Sequence, residues 1–324
     1  MKRRNALATI ASCLLWPAMA PAQPSKRVPV VGMLITHAPV TDPVVEAVRT
    51  GLRQHGYEDG NNIKLEVRSA LGQLDRVPAL AQELVQLKVD VIIVANDPAL
   101  RAVLKATSKI PIVMAGYTDD PSAMGWIESY RRPGRNVTGA FTMNSALIAK
   151  RLELLKEMLP KASRLAIFWE RTFGVGQLEE AQRVSPKLGL ELHPIEVPGP
   201  ADIAAAFAGA KEVKADAVLL IWTPIFYVHR ARIAALALEA RLPLFSDISV
   251  ATDAGGLLSY GSFGYDSFVR AGRYVDRLLK GATPAELPVE QMENIKLVVN
   301  AKTAKALGIK LPESILVRAD EVIR

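Results

Sequence analysis

The sequence predicts an α/β protein built as two lobes, and three observations carry that expectation. From Val28 onward, short β-branched runs alternate with segments of helical periodicity, the pattern of parallel sheets with crossover helices. The alternation runs its course and then restarts, giving two arrays of similar size without a repeat visible in residue identity. The 324-residue length suits two domains, and a chain that is 50% hydrophobic and 23% charged carries enough apolar material for real cores, which excludes disorder.

The elements follow in order. Residues 30–36 read as a strand, and 43–54 as a helix opening near Asp42, with Val45, Val48 and Leu52 on one face and Gly56 as its stop. Residues 63–68 alternate apolar and polar, as an edge strand does. Residues 74–87 form a helix, 89–95 a strand apolar on both faces, 98–107 a helix with Pro98 in its first turn, and 110–115 and 137–140 two further strands. The second array opens with a helix at 146–158. Strands at 164–169, 190–197 and 217–222 then alternate with helices at 176–188, 201–210 and 229–240. Short strands at 243–246 and 256–260, an amphipathic helix at 265–279 stopped by Lys280-Gly281, a strand at 297–299 and a helix at 302–307 close the chain.

Open parallel sheets bind ligands beyond the carboxyl ends of their strands. The residues there are the candidate ligand contacts: Thr36, His37, Asn96, Asp97, Tyr117 and Thr118 in the first array, and Trp169, Trp222, Thr223, Asp247 and Tyr260 in the second. Hydroxyls, amides, carboxylates and aromatic rings together suit a small polar molecule with a flat or apolar body. Two of the carboxylates have structural readings as well. Asp97 opens a helix, where its side chain is read first as an N-cap, and Asp247 is balanced between a salt bridge to a ligand ammonium and an N-cap. Trp169 and Trp222 each end a strand, where a stacking platform is weighed against core packing.

The N-terminus has the three parts of an export signal. Lys2, Arg3 and Arg4 are basic, 6–16 is uncharged and mostly apolar, and Ala20-Pro21-Ala22 is a small-x-small cleavage pattern. Residues 1–22 are therefore expected to be removed, which takes three of the +7 formal charges and leaves a mild +4. That excess lacks the clustered basic face of a nucleic-acid binder. The single cysteine, Cys13, lies inside the signal, where a lipoprotein site is the lesser reading, so no disulfide or thiol chemistry is expected. The four histidines are scattered without Cys partners or HExxH spacing, so no metal and no cofactor are expected. No GxSxG elbow or Walker A loop occurs, and Gly174-Val175-Gly176 lacks the third glycine of a dinucleotide fingerprint and reads as a flexible turn.

Several segments resemble the tryptophan-type (TrpX-like) substrate-binding proteins of ABC transporters. They are Gly56-Tyr57 with Gly60-Asn61-Asn62-Ile63, the stretches 74–80 and 87–92, Ile110-Pro111-Ile112-Val113-Met114, Arg132-Pro133-Gly134-Arg135-Asn136-Val137-Thr138-Gly139, 150–156, Ser259-Tyr260-Gly261 and 297–312. The resemblance implies a type I periplasmic-binding fold, two Rossmann-like lobes joined by a three-segment hinge. The crossings are expected near 140–144, 260–262 and 288–296, giving one lobe from 28–141 plus 262–287 and another from 142–261 plus 292–324. It also implies a monomeric periplasmic receptor that closes on a small solute and delivers it to an inner-membrane ABC permease. The chain departs from the family at Asn96-Asp97, Tyr117, Asp120 and Trp222-Thr223-Pro224, which detaches the expectation from one particular amino acid. The competing readings are an exported α/β enzyme using the same cleft, which lacks a supported nucleophile or acid–base pair, and a transcription-factor sensing domain, which lacks a helix-turn-helix.

Overall fold

The structure, a computed structural model, describes residues 27–324 apart from 38, 118–119, 143–144 and 262–264. The expected signal at 1–22 and the candidate Thr118 lie outside the described residues. The first lobe takes β1 (Val30–Ile35), α1 (Pro43–Gln54), β2 (Lys64–Ser69), α2 (Val77–Gln86), β3 (Val91–Val94), α3 (Asp97–Ala106), β4 (Ile112–Tyr117) and β5 (Val137–Phe141). The second takes α4 (Ile148–Met158), β6 (Arg164–Trp169), α5 (Val175–Val184), β7 (Glu191–Glu196), α6 (Ile203–Glu212), β8 (Ala217–Leu220), α7 (Pro224–Val228), α8 (Arg230–Glu239), β9 (Leu244–Ser246), α9 (Ser249–Asp253) and β10 (Leu258–Gly261). The chain then returns to the first lobe with α10 (Asp266–Leu279) and β11 (Glu290–Gln291), and ends in the second with β12 (Lys296–Asn300), α11 (Ala301–Leu307), α12 (Glu313–Arg318) and β13 (Glu321–Ile323).

The six strands of the first sheet run in the order β11-β5-β4-β3-β1-β2, all parallel. The seven of the second run β13-β12-β10-β9-β8-β6-β7, with β10 against β12 the antiparallel pair. Strand order reverses beside β1 in one sheet and beside β6 in the other, so each lobe has a switch point where ligand crevices form. In the first lobe α1 and α10 cover one face and α2 and α3 the other, each over its own apolar cluster. In the second lobe α4, α5 and α12 pack on one face and α6 and α8 on the other.

The β-branched runs of β3, buried on both faces, have no polar side to give to solvent, whereas β2, at the sheet edge, alternates. Asp42 caps α1 as read from sequence: its carboxylate accepts from the Val44 amide at 3.0 Å. The close approach of α1 and α10 depends on two glycines. A Cβ on Gly51 would meet the backbone of Val269, and one on Gly272 the backbone of Gly51.

Some expectations need correcting. The helix read over 74–87 begins with a 3-10 turn, and the strand read over 217–222 stops at Leu220, so that Trp222 turns toward the cleft while Thr223 caps the next helix. The helix read over 229–240 is preceded by α7, whose start signal, Thr223 as N-cap with Pro224 after it, is plain once the strand is shortened. The third crossing, read over 288–296, contains β11, which pairs in parallel with β5 and belongs to the first sheet.

Candidate functional site

The two switch points face each other across a cavity of about 320 Å³. The first lobe supplies His37 after β1, Asn96 and Asp97 after β3, Arg101 from α3, Gly116 from β4 and Phe268 from α10. The second supplies the 172–177 turn after β6, with Phe173 and Gln177, and Trp222 and Pro224 after β8. Aromatic rings thus enter from both sides, and the lining is suited to a molecule with a planar or apolar body. Gly116 makes room for Phe268: its φ is +73, and a Cβ there would meet the Phe268 ring.

The polar floor on the first lobe is held by hydrogen bonds within that lobe. Asn96, not Asp97, caps α3: its Oδ1 accepts from the Ala99 amide at 3.2 Å while its Nδ2 donates to Thr36 Oγ1 at 2.5 Å. Asp97 is the first helical residue. Arg101 donates to one of its oxygens at 2.5 Å and the Tyr117 hydroxyl to the other at 3.2 Å. Trp126 Nε1 donates to the same hydroxyl at 2.7 Å, and the Arg101 guanidinium lies 4.6 Å from the centre of the Trp126 ring. Asp97 is therefore spent on its own lobe, which removes the simplest acceptor for a ligand ammonium.

His37 touches Thr36 Oγ1 through Nδ1 at 3.3 Å and meets Tyr227 edge to face at 5.2 Å. Burial pulls its pKa down to about 4, against the opposing charge of Asp42. Near neutral pH the ring is uncharged, and the buried Thr36 Oγ1 is already engaged as the acceptor of Asn96 Nδ2. The folded chain resists a proton here that the unfolded chain accepts, so stability is lost as pH falls from 6.5 to about 4 and is constant below that. A His37→Gln protein should lose less melting temperature over that interval than the wild type, by an amount corresponding to about 3 kcal/mol at most. Paired thermal melts between pH 7 and pH 4 measure it, and parallel curves would contradict it.

The remaining candidates lie off the cavity. Thr36 is fully buried beneath Asn96, and Tyr117 is in the first-lobe core, where it orients Asp97 from behind. Trp169 packs on the helix-covered face with the cluster under α4 and α5, because β6 sends residues 165, 167 and 169 to that side. Thr223 is the buried N-cap of α7, accepting from the Phe226 amide at 3.3 Å. Tyr260 offers its backbone carbonyl to Arg151 Nε at 2.6 Å.

Asp247 neither caps a helix nor lines the cavity, since Ile248 stands at the start of α9. It is fully buried with Arg151, and Gln177 links the pair to the cavity wall: Arg151 donates to Gln177 Oε1 at 3.0 Å. Burial pushes the Asp247 carboxyl up and pulls the Arg151 guanidinium down, and each charge partly offsets the other's shift. Arg151 Nη2 and Asp247 Oδ2 have no hydrogen-bond partner among the described residues.

Phe173, Gln177, Phe268 and Arg101 were not singled out as contacts from the sequence. Phe173 lies just beyond the carboxyl end of β6, and that strand-end position is the signal that could have found it. Phe268 sits on a helix whose periodicity marks it as ordinary core, and nothing local announces that it reaches the cleft. A larger recess of about 610 Å³ opens on the outer edge of the first lobe, around α10 and β11. Several of its polar groups are paired within the first lobe, with Arg273 and Arg270 on Glu290 at 3.3 and 3.7 Å and Asn294 donating to Asp266 at 2.5 Å. Among the described residues no helix is long and apolar enough to cross a membrane.

Two lobes of this topology around an aromatic-walled cleft define a type I solute-binding protein. The family described as ABC transporter substrate binding protein matches residues 29–323, and the chain belongs to that family. A tyrosine-binding protein of Clostridioides difficile (strain R20291) is 25% identical over 287 residues, 86% of this chain and 80% of the relative. The solved structure of an ABC domain from Streptococcus pneumonia in complex with L-Trp is 27% identical with a TM-score of 0.83, covering 91% of this chain and 99% of that one. A conserved domain protein from Vibrio cholerae is 26% identical with a TM-score of 0.84, covering 91% of this chain and all of that one, 100%.

Proposed function

We propose that this substrate-binding protein is an exported periplasmic receptor that closes on a small solute with a planar or apolar body and hands it to an inner-membrane ABC permease. The observation that carries the reading is the cavity between the two switch points, with Trp222 and Phe173 on one lobe facing His37 and Phe268 on the other. A ligand that touches both walls binds best when the lobes are together, so its affinity for the closed form drives closure. Residues 1–22 act as the export signal, removed after about Ala22. The lobes are 28–141 plus 262–287 and 142–261 plus 292–324, the protein works as a monomer, and the cleft performs no chemistry. The relatives that bind tyrosine and tryptophan support an aromatic solute. The pairing of Asp97 with Arg101 and Tyr117 means an amino group, if present, must be met elsewhere.

A thermal-shift panel on residues 23–324 tests this. L-tyrosine, L-tryptophan, aromatic carboxylates without an amino group, branched-chain amino acids and sugars are each added and then re-assayed for turnover. One aromatic class should raise the melting temperature and be recovered unchanged. Turnover of the stabilising compound would overturn the receptor reading. Trp222→Ala should weaken that compound roughly 30-fold, the effect of removing an aromatic anchor worth about 2 kcal/mol. Unchanged affinity by calorimetry would remove Trp222 from the site.

A further inference from the structure

We infer that Tyr227 is a positioning residue that ties the second lobe onto the first and sets the balance between open and closed receptor, whatever the solute. Tyr227 belongs to α7 of the second lobe, yet its ring is part of the apolar cluster of the first, packed among residues of β1, α1 and α10. Its hydroxyl donates to the Asp42 carboxylate, 3.0 Å from each oxygen, across 185 residues of sequence. Both partners are buried, Tyr227 at 2% and Asp42 at 8% exposure, so the bond is shielded from competing water.

The ring is held on several sides. His37 of the first lobe and Trp222 of the second each meet it edge to face at 5.2 Å. The Arg230 guanidinium lies 4.7 Å from its centre, and Arg230 Nη1 donates to the Tyr227 carbonyl at 2.6 Å. Asp42 is fixed in turn as the cap of α1. The tie therefore joins the first helix of one lobe to the residue beside the cavity wall of the other. Opening the cleft strips Tyr227 from an apolar seat and from a charged acceptor at once. A hydrogen bond to a charged group is worth roughly a tenfold or larger factor in an equilibrium. The tie also occupies Asp42, so that carboxylate is not offered to the solute. Trp222 and His37 touch both the cavity and the Tyr227 ring, which couples solute contact to the tie.

The test needs no solute, so its outcome is independent of whether the proposed ligand class is right. Residues 23–324 contain no cysteine, and Lys105 on α3 and Glu179 on α5 are exposed on opposite lobes. Lys105→Cys with Glu179→Cys accepts a pair of distance probes. Tyr227→Phe keeps the ring and removes only the hydroxyl. It is expected to lower the ratio of short to long interlobe distances roughly tenfold while far-ultraviolet circular dichroism stays that of the parent. Asp42→Asn, which retains an oxygen to cap α1, should lengthen the distances when Tyr227 is intact and add little when combined with Tyr227→Phe. An unchanged distance distribution in Tyr227→Phe, or effects of the two substitutions that simply add, would overturn the inference.

Discussion

Gly272→Val should unfold the first lobe at markedly lower temperature than the parent. Gly272 on α10 lies against the backbone of Gly51 on α1, and Gly51 in turn lies against the backbone of Val269. Backbone cannot move aside as a flexible side chain does, so a side chain here must push the two helices apart. That separation loosens the cluster of Val45, Val48, Leu52, Phe268, Ala271 and Val275 between them and the sheet. Overpacking of this kind costs about 3 kcal/mol, a melting-temperature loss on the order of 5 °C in a chain of this size. Gly209→Ala on α6 is the contrast. Its Cβ would meet only the Ile195 side chain at an ordinary 3.5 Å, so helix propensity should leave that protein unchanged or slightly stabilised. Calorimetry on the two variants measures the difference, and equal melting temperatures would contradict the packing account. Because Phe268 lines the cavity from α10, Gly272→Val should also weaken solute binding without touching the solute.

Arg151→Met should be comparably damaging to the second lobe, for an electrostatic reason. Arg151 reaches from α4 to the Tyr260 carbonyl on the hinge side and to Gln177 at the cavity wall, and its charge is the main offset to the burial of Asp247. Removing one member of a buried charged pair costs about 3–5 kcal/mol, because the other is left uncompensated. The pH dependence identifies the cause. Asp247 already has a raised pKa, and without Arg151 it rises further. A carboxyl whose folded pKa exceeds its unfolded value loses stability as pH rises through the folded value. The deficit of Arg151→Met should therefore grow as pH rises. Arg151→Met with Asp247→Leu should recover most of it, since an apolar replacement of the whole pair carries no buried charge. A deficit independent of pH, with no recovery in the double variant, would show that Arg151 contributes only packing.

The sequence made the lobes legible because parallel strands and their helices each have a period, and the alternation occurs twice. Elements of only one or two periods escaped. The five-residue α7 and α9, the two-residue β11 and the terminal α12 and β13 bury too few side chains to leave a pattern. The site was legible at the level of strand ends, since topology alone says where crevices form. His37, Asn96, Asp97 and Trp222 all line the cavity. What sequence could not convey was which way a strand-end residue turns. Trp169 and Trp222 look alike in sequence. One is still within β6 and follows the strand's alternation into the core; the other lies past the end of β8 and is free to turn. The N-cap and ligand-contact readings of Asp97 and Asp247 miss their actual roles because their partners, Arg101, Tyr117, Arg151 and Gln177, are recruited by folding. Tyr227 reads as one more helix residue until the lobes are seen together, when it becomes part of the other lobe's core.

The most direct test of the two-walled cleft is a crystal structure of residues 23–324 grown with the compound that most raises the melting temperature. The account predicts that compound between Trp222 and Phe173 on one side and His37 and Phe268 on the other, in contact with both lobes at once. A compound bound on a single lobe, or outside the cleft altogether, would contradict it.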